Sequence, residues 1–177
     1  MRKIIILLIT LVITSCSKES EESANGGTMQ FVSTSIRGIT MRDMNGAFIG
    51  SIDPSDWKTN DLFPATINAY FNFTDTLDYT GADTSTLDIV CYPNPFQQIV
   101  AFQINSSNPT IFKLLLIDEA NTIYMQHSFA LHSGGNPLIY DLTDANLQPN
   151  KLYRLYYKFY NQQKKNYASG HGDLKKL

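Results

Sequence analysis

The chain has 177 residues, of which 43% are hydrophobic and 12% aromatic, and its formal net charge is −2. A folded portion of about 150 residues is enough for one domain that buries roughly two-thirds of its extended surface. With charge near neutrality and no basic stripe, the composition gives nucleic-acid binding no support.

The chain opens Met1-Arg2-Lys3 and continues with an apolar run over residues 4–13. A membrane-spanning helix needs ~20 apolar residues, so this run fits the core of a signal peptide and not a transmembrane anchor. It ends in Ile13-Thr14-Ser15-Cys16, which resembles the lipobox of bacterial lipoproteins, an aliphatic residue and two small ones before a cysteine. The small residues let a signal peptidase approach the backbone. The resemblance implies that residues 1–15 are a lipoprotein signal peptide and that Cys16 is lipidated and begins the mature chain. Each buried methylene contributes about 0.8 kcal/mol, so two or more acyl chains hold a protein stably at a membrane.

Residues 17–28, SKESEESANGGT, are polar and acidic and hold a glycine pair near their end. They cannot bury apolar area, so a flexible tether is expected. The run Lys18-Glu19-Ser20-Glu21-Glu22 is similar to the acidic export signal of surface lipoproteins. The expected location is the outer membrane, facing the cell surface, with a periplasm-facing orientation as the alternative. With Cys16 lipidated, Cys91 has no partner in the chain, and no disulfide is expected. Cys91 follows Ile89 and Val90 and reads as a lone buried thiol.

Residues 29–177 are expected to form one domain. Short alternating patterns at 30–40 and 47–52 flank the turn signal Met44-Asn45-Gly46 and predict a strand pair. Asp53-Pro54-Ser55-Asp56-Trp57 predicts a turn, since Pro fixes φ and Asp bonds nearby backbone amides. Phe63, Ile67, Tyr70 and Phe71 share helical spacing, and Pro64 suits a first turn, so one short helix is expected. Residues 74–86, rich in Thr and Asp, predict an exposed loop. Strands are predicted at 87–92, 98–104, 110–118, 122–129, 137–142, 151–160 and 165–169. In 151–160, Tyr153, Leu155, Tyr157 and Phe159 share one face, expected to be core. Arg154, Tyr156, Lys158 and Tyr160 share the other, expected to be wet. Strands at this spacing without intervening helices predict a mainly β, immunoglobulin-like β-sandwich with one short helix.

Residues 87–96 read LDIVCYPNPF. They resemble the start of the C-terminal sorting domains of type IX secretion substrates, whose first strand runs into a Tyr-Pro-Asn-Pro element. The likeness continues in the strand at 112–118, the leucine-bearing approach at 147–153 and the tail with Lys175 and Lys176. It implies an immunoglobulin-like sandwich. Pro93 and Pro95 hold the chain extended and remove two donors, which ends one strand before the next.

Candidate chemistry is sparse. In Gly170-His171-Gly172-Asp173 an Asp-polarised His could act as a base, and the glycines would let the backbone approach another group. The competing reading is a tight turn before the final strand. His127 and His132 are five apart and would face opposite ways on a continuous strand, so they do not make a metal pair. Asp53, Asp56 and Asp61, like Asp75, Asp78 and Asp83, could offer oxygens to calcium, but local turns explain both sets. No catalytic residue, metal or cofactor is therefore assigned.

Trp57, Arg154, Tyr156, Lys158 and Tyr160 are the candidate ligand surface, since flat rings with polar rims stack on sugars and mark binding faces. The leading expectation is a non-enzymatic surface lipoprotein that binds a glycan or another envelope protein. The alternatives are a structural subunit of an envelope assembly joined through a sheet edge and, third, a hydrolase.

Overall fold

The computed structural model describes residues 30–33 and 35–177; Cys16, the signal segment and the tether lie outside them. Two short strands, β1 (Gln30–Phe31) and β2 (Asp61–Leu62), pair parallel and are followed by one helix, α1 (Ala65–Tyr70). The alternating segments of the C-terminal half then become seven further strands. They are β3 (Leu87–Tyr92), β4 (Ile99–Ser106), β5 (Thr110–Ile117), β6 (Ile123–Leu131), β7 (Gly134–Asp141), β8 (Leu152–Tyr160) and β9 (Asn166–Lys175). A 3-10 turn, Thr143–Ala145, stands before β8.

One sheet runs β3-β4-β7 and the other β6-β5-β8-β9, all pairs antiparallel. The chain crosses between sheets after β4, β6 and β7, so neither sheet is a plain meander. This is the mainly β, immunoglobulin-like sandwich expected, with one short α-helix among the described residues. Its interior is set by period-two alternation. Val100, Phe102 and Ile104 of one sheet meet Phe112, Leu114 and Leu116 of the other, together with Tyr153, Leu155, Tyr157 and Phe159. Cys91 lies in the same core as a free thiol, and burial pushes its pKa well up.

The other face of β8 corrects the expectation of a wet surface. Arg154, Tyr156 and Lys158 are only 4%, 1% and 8% exposed. The chain before β3 covers them as a third layer: Val32, Phe63, Ile67 and Phe71 pack on Leu115, Ile117 and Tyr156. Tyr79 and Ala82 pack on Ile111, with the half-buried Tyr160 beside them. The physical reason lies in β5. TIFKLLLI is buried at every position, and it carries apolar residues on both faces, Phe112, Leu114 and Leu116 on one and Ile111, Leu115 and Ile117 on the other, so both need cover.

Two further expectations change. The strand pair at 30–40 and 47–52 reduces to a narrow loop with a single bridge, Arg42 to Phe48, although the turn at 44–46 forms with Gly46 at positive φ. Phe48, Ile49 and Ile52 stay exposed, so alternation there had no core to face. The last strand also does not wait for a turn at 170–173 but runs through it to Lys175. Gly170 and Gly172 serve close approach instead. A β-carbon at Gly170 would overlap the Lys58 carbonyl, and one at Gly172 would overlap the Trp57 indole.

Gly172→Ala is therefore expected to destabilise the fold by about 1–3 kcal/mol through overpacking, read as a lower denaturation midpoint. An unchanged midpoint would show that Trp57 does not depend on that space.

Candidate functional site

The register of the last two strands sets Arg154 opposite Asp173 and Tyr156 opposite His171. Directly opposed residues share a face, so one acid, one base and one histidine meet on the outer side of β8 and β9. The segment 56–62 then runs alongside β9. The Trp57 amide donates to the His171 carbonyl (2.7 Å), the Ser169 amide donates to the Thr59 carbonyl (3.3 Å), and Asn60 bridges Ser169 in parallel. Trp57 turns inward and Asp56 and Asp61 turn to the outer face. Residues more than a hundred positions apart thus form one buried charge cluster.

Its geometry is closed. Arg154 grips Asp173 with two bonds, Nε to Oδ1 and Nη2 to Oδ2, each 2.6 Å, and its Nη1 donates to the Ser33 carbonyl. Such fork-to-fork pairing is the strong form of a charge-assisted bond. Asp56 accepts from the Asp173 amide on Oδ1 (2.9 Å) and from the Thr40 amide on Oδ2 (2.8 Å). His171 Nδ1 lies 2.5 Å from Asp61 Oδ2. The Ser169 hydroxyl donates to the Asp61 carbonyl at 2.6 Å. Asn94, fully buried, completes the anchoring. Its Nδ2 donates to the carbonyls of Thr40 (3.0 Å) and Asp173 (2.8 Å), and its Oδ1 accepts from the Lys175 amide (3.0 Å). Asn94 is the third residue of the Tyr-Pro-Asn-Pro element, whose two X-Pro bonds are both cis.

Electrostatics follow from burial. Loss of solvent, with the neighbouring Asp173 charge, pushes the Asp56 carboxyl up to about 6. Burial also raises Asp173, while the Arg154 bonds and charge pull it back. At Asp53 burial is outweighed by the amide and hydroxyl of Ser55, and its pKa is lowered.

Beside the cluster is a cleft of about 290 Å³ whose lining includes Asp53, Asp61, Arg154, His171, Ser33 and Ser35. Asp56, His171 and Asp173 each offer a ligand atom, all within 4.8 Å of one another. That set does not suit a metal. Both Asp173 oxygens are taken by Arg154, both Asp56 oxygens by backbone amides, and the guanidinium supplies the positive charge a cation would bring.

The expected site residues are placed as follows. His171 pairs with Asp61, not with Asp173, and is buried. Trp57 is half-buried, stacked parallel to the interior Tyr157 at 6.3 Å. Tyr156 meets Phe63 edge to face at 4.9 Å. Lys158 donates to Asn68 Oδ1 at 2.6 Å and lies 4.8 Å over the Phe71 ring; burial lowers its pKa. Tyr160 is raised to about 12 by burial and by the Asp75 charge. Trp57 and the β8 group therefore lie on opposite faces of the sheet and make no common ligand surface. Asp53 forms a local turn with Ser55, and Asp78 one with Thr80. Asp75 is taken by Lys113 at 2.5 Å. His127 is exposed on β6, and His132 follows its end.

No family model matches the sequence, and no curated protein matches it. Among solved structures, dimeric latent PorU from Porphyromonas gingivalis is 16% identical over 56% of this chain and 10% of its own, with a TM-score of 0.42. The CARDB domain of a Pyrococcus furiosus protein, solved in complex with di-metal ions, is 10% identical over 60% of this chain and 100% of its own, with a TM-score of 0.35. Both likenesses fall below the level that decides a fold, which here follows from the sheet order itself.

Asp56 yields a pH prediction. Its pKa is raised from 3.8 to about 6 on folding, so the folded state binds more protons between these values. Its contribution to stability is full below about pH 3.8 and is lost as pH rises through about 6. An NMR titration should place the Asp56 carboxyl midpoint near 6; a midpoint near 3.8 would mean that the carboxylate is solvated.

Proposed function

We propose that this protein is a lipid-anchored, non-enzymatic outer-membrane protein of the cell surface, and that it joins an envelope assembly by pairing a sheet edge with a partner protein. The observation that supports the reading is β6. It forms one side of the four-stranded sheet, and no described strand lies beyond it. Its nine residues, IYMQHSFAL, include no charge, proline or glycine, and past one irregularity near its start it pairs regularly with β5 from Met125 to Leu131.

Natural sheets guard their edges with charges, proline, bulges or covering segments. The other edges of this sandwich carry such guards. Segment 56–62 runs along β9, β7 contains Pro137, and β3 contains Asp88. A long, uncharged edge that pairs with no further described strand suits strand addition, where main-chain bonds give affinity and alternate side chains give specificity.

The lipobox-like Cys16 and the polar tether of residues 17–28 support display from a membrane. The Tyr-Pro-Asn-Pro element supports kinship in fold with type IX sorting domains, and the role of Asn94 here is to tie chain segments together. A glycan platform on β8 has no exposed ring at Tyr156 to carry it. The buried His171–Asp61 pair and the deeply buried Cys91 do not favour a hydrolase.

The test is site-specific photocrosslinking in cells with the full chain. A photoreactive residue at position 127 is expected to give a discrete adduct that one at exposed Thr80 does not. No adduct specific to position 127 would overturn the reading.

A further inference from the structure

We infer that the partner strand at β6 is the β6 of a second copy of this chain, paired antiparallel about a two-fold axis through His127. The inference rests on the strand-pairing reading above and names the partner.

A two-fold axis normal to a sheet sets each residue near it against a residue of its own sequence. Any charge at the centre would therefore face its own copy, and like charges directly opposed are destabilising. β6 carries none. Side-chain alternation restricts the axis further. A register centred between two residues would oppose inward with outward side chains, so the axis must pass through a residue.

Centred on His127, the pairing sets Met125 against Phe129, Gln126 against Ser128, and His127 against itself. Polar groups meet polar groups, and apolar groups meet apolar ones. A register centred on Gln126 or Ser128 sets His127 against Met125 or Phe129 and breaks this order. The central five residues lie in the part of β6 that pairs regularly with β5.

The result is one sheet of eight strands running β9-β8-β5-β6 and back through the second copy. His127 is exposed, near the rings of Tyr140 (5.5 Å) and Phe129 (6.0 Å). It is thus free to meet its mate without leaving a core position. Attachment of both copies to one membrane surface would raise their effective concentration.

The test uses the full chain with His127→Cys under mild oxidation. Directly opposed residues place their β-carbons about 4.5–5.5 Å apart, close enough for a disulfide after slight adjustment. The expected product is a disulfide-linked dimer, whereas Ile139→Cys, exposed on the other sheet, stays monomeric. His127→Glu should convert the dimer to monomer in light scattering with unchanged circular dichroism, and His127→Gln should remain dimeric. Equal crosslinking at positions 127 and 139, or none at 127, overturns the inference. A photoadduct at 127 with a different protein, without self-crosslinking, overturns self-pairing but leaves strand addition at β6 standing; no adduct of either kind overturns both.

Discussion

The architecture turns on the two bonds that join Arg154 to Asp173. The pair lies on a covered sheet face, with Arg154 only 4% exposed and Asp173 fully buried. A buried ion pair holds only if the remaining donors and acceptors are also satisfied. Here the surrounding chain supplies that satisfaction. The Ser33 carbonyl takes the third guanidinium nitrogen, the Asp173 amide is bound by Asp56, and Asp56 in turn holds the Thr40 amide. Asn94 binds the Asp173 carbonyl. Segments near residues 33, 40, 56 and 94 are thus tied to the last two strands through one set of charges. The apolar packing of Phe63, Ile67 and Phe71 covers the same face, so polar and apolar anchoring act together.

Groups that resemble catalytic equipment in the sequence are already engaged. His171 faces Asp61, Asp173 faces Arg154, and Asp56, whose carboxyl is raised to about 6, accepts two backbone amides. The cluster holds the layer over β8 and β9 in place. β6 stands at the opposite edge of the same sheet, outside this network, and no described strand pairs beyond it. The uncharged edge and the charge-locked edge are the two ends of one sheet.

Much of the sandwich was legible because alternation fixes which side chains meet across strands. Tyr153, Leu155, Tyr157 and Phe159 turned inward as their spacing required, and the short helix formed where Ile67 and its neighbours repeat. The opposite face of β8 was misread because Arg154 and Lys158 between tyrosines look amphipathic. Their burial depends on distant partners, Asp173 and Asn68, that no local pattern reveals. Apolar residues on both faces of β5, with Ile111, Leu115 and Ile117 on the outer one, were the available signal that a third layer must exist. β9 was cut short for a related reason: Gly170 and Gly172 look like turn residues, yet they make room for Lys58 and Trp57. The His171–Asp61 pair joins residues 110 positions apart, beyond any spacing rule. His127 was weighed only as a metal ligand, since its place on an open edge exists only once the sheet order is known.

A double-mutant cycle on Arg154→Met and Asp173→Leu, followed by chemical denaturation, tests the account most directly. Each single substitution leaves a buried charge without its partner and is predicted to cost about 3–5 kcal/mol. The double substitution removes both charges and is predicted to cost clearly less than the sum of the two. Single costs under about 1 kcal/mol, or costs that simply add, would contradict the claim that this pair organises the fold.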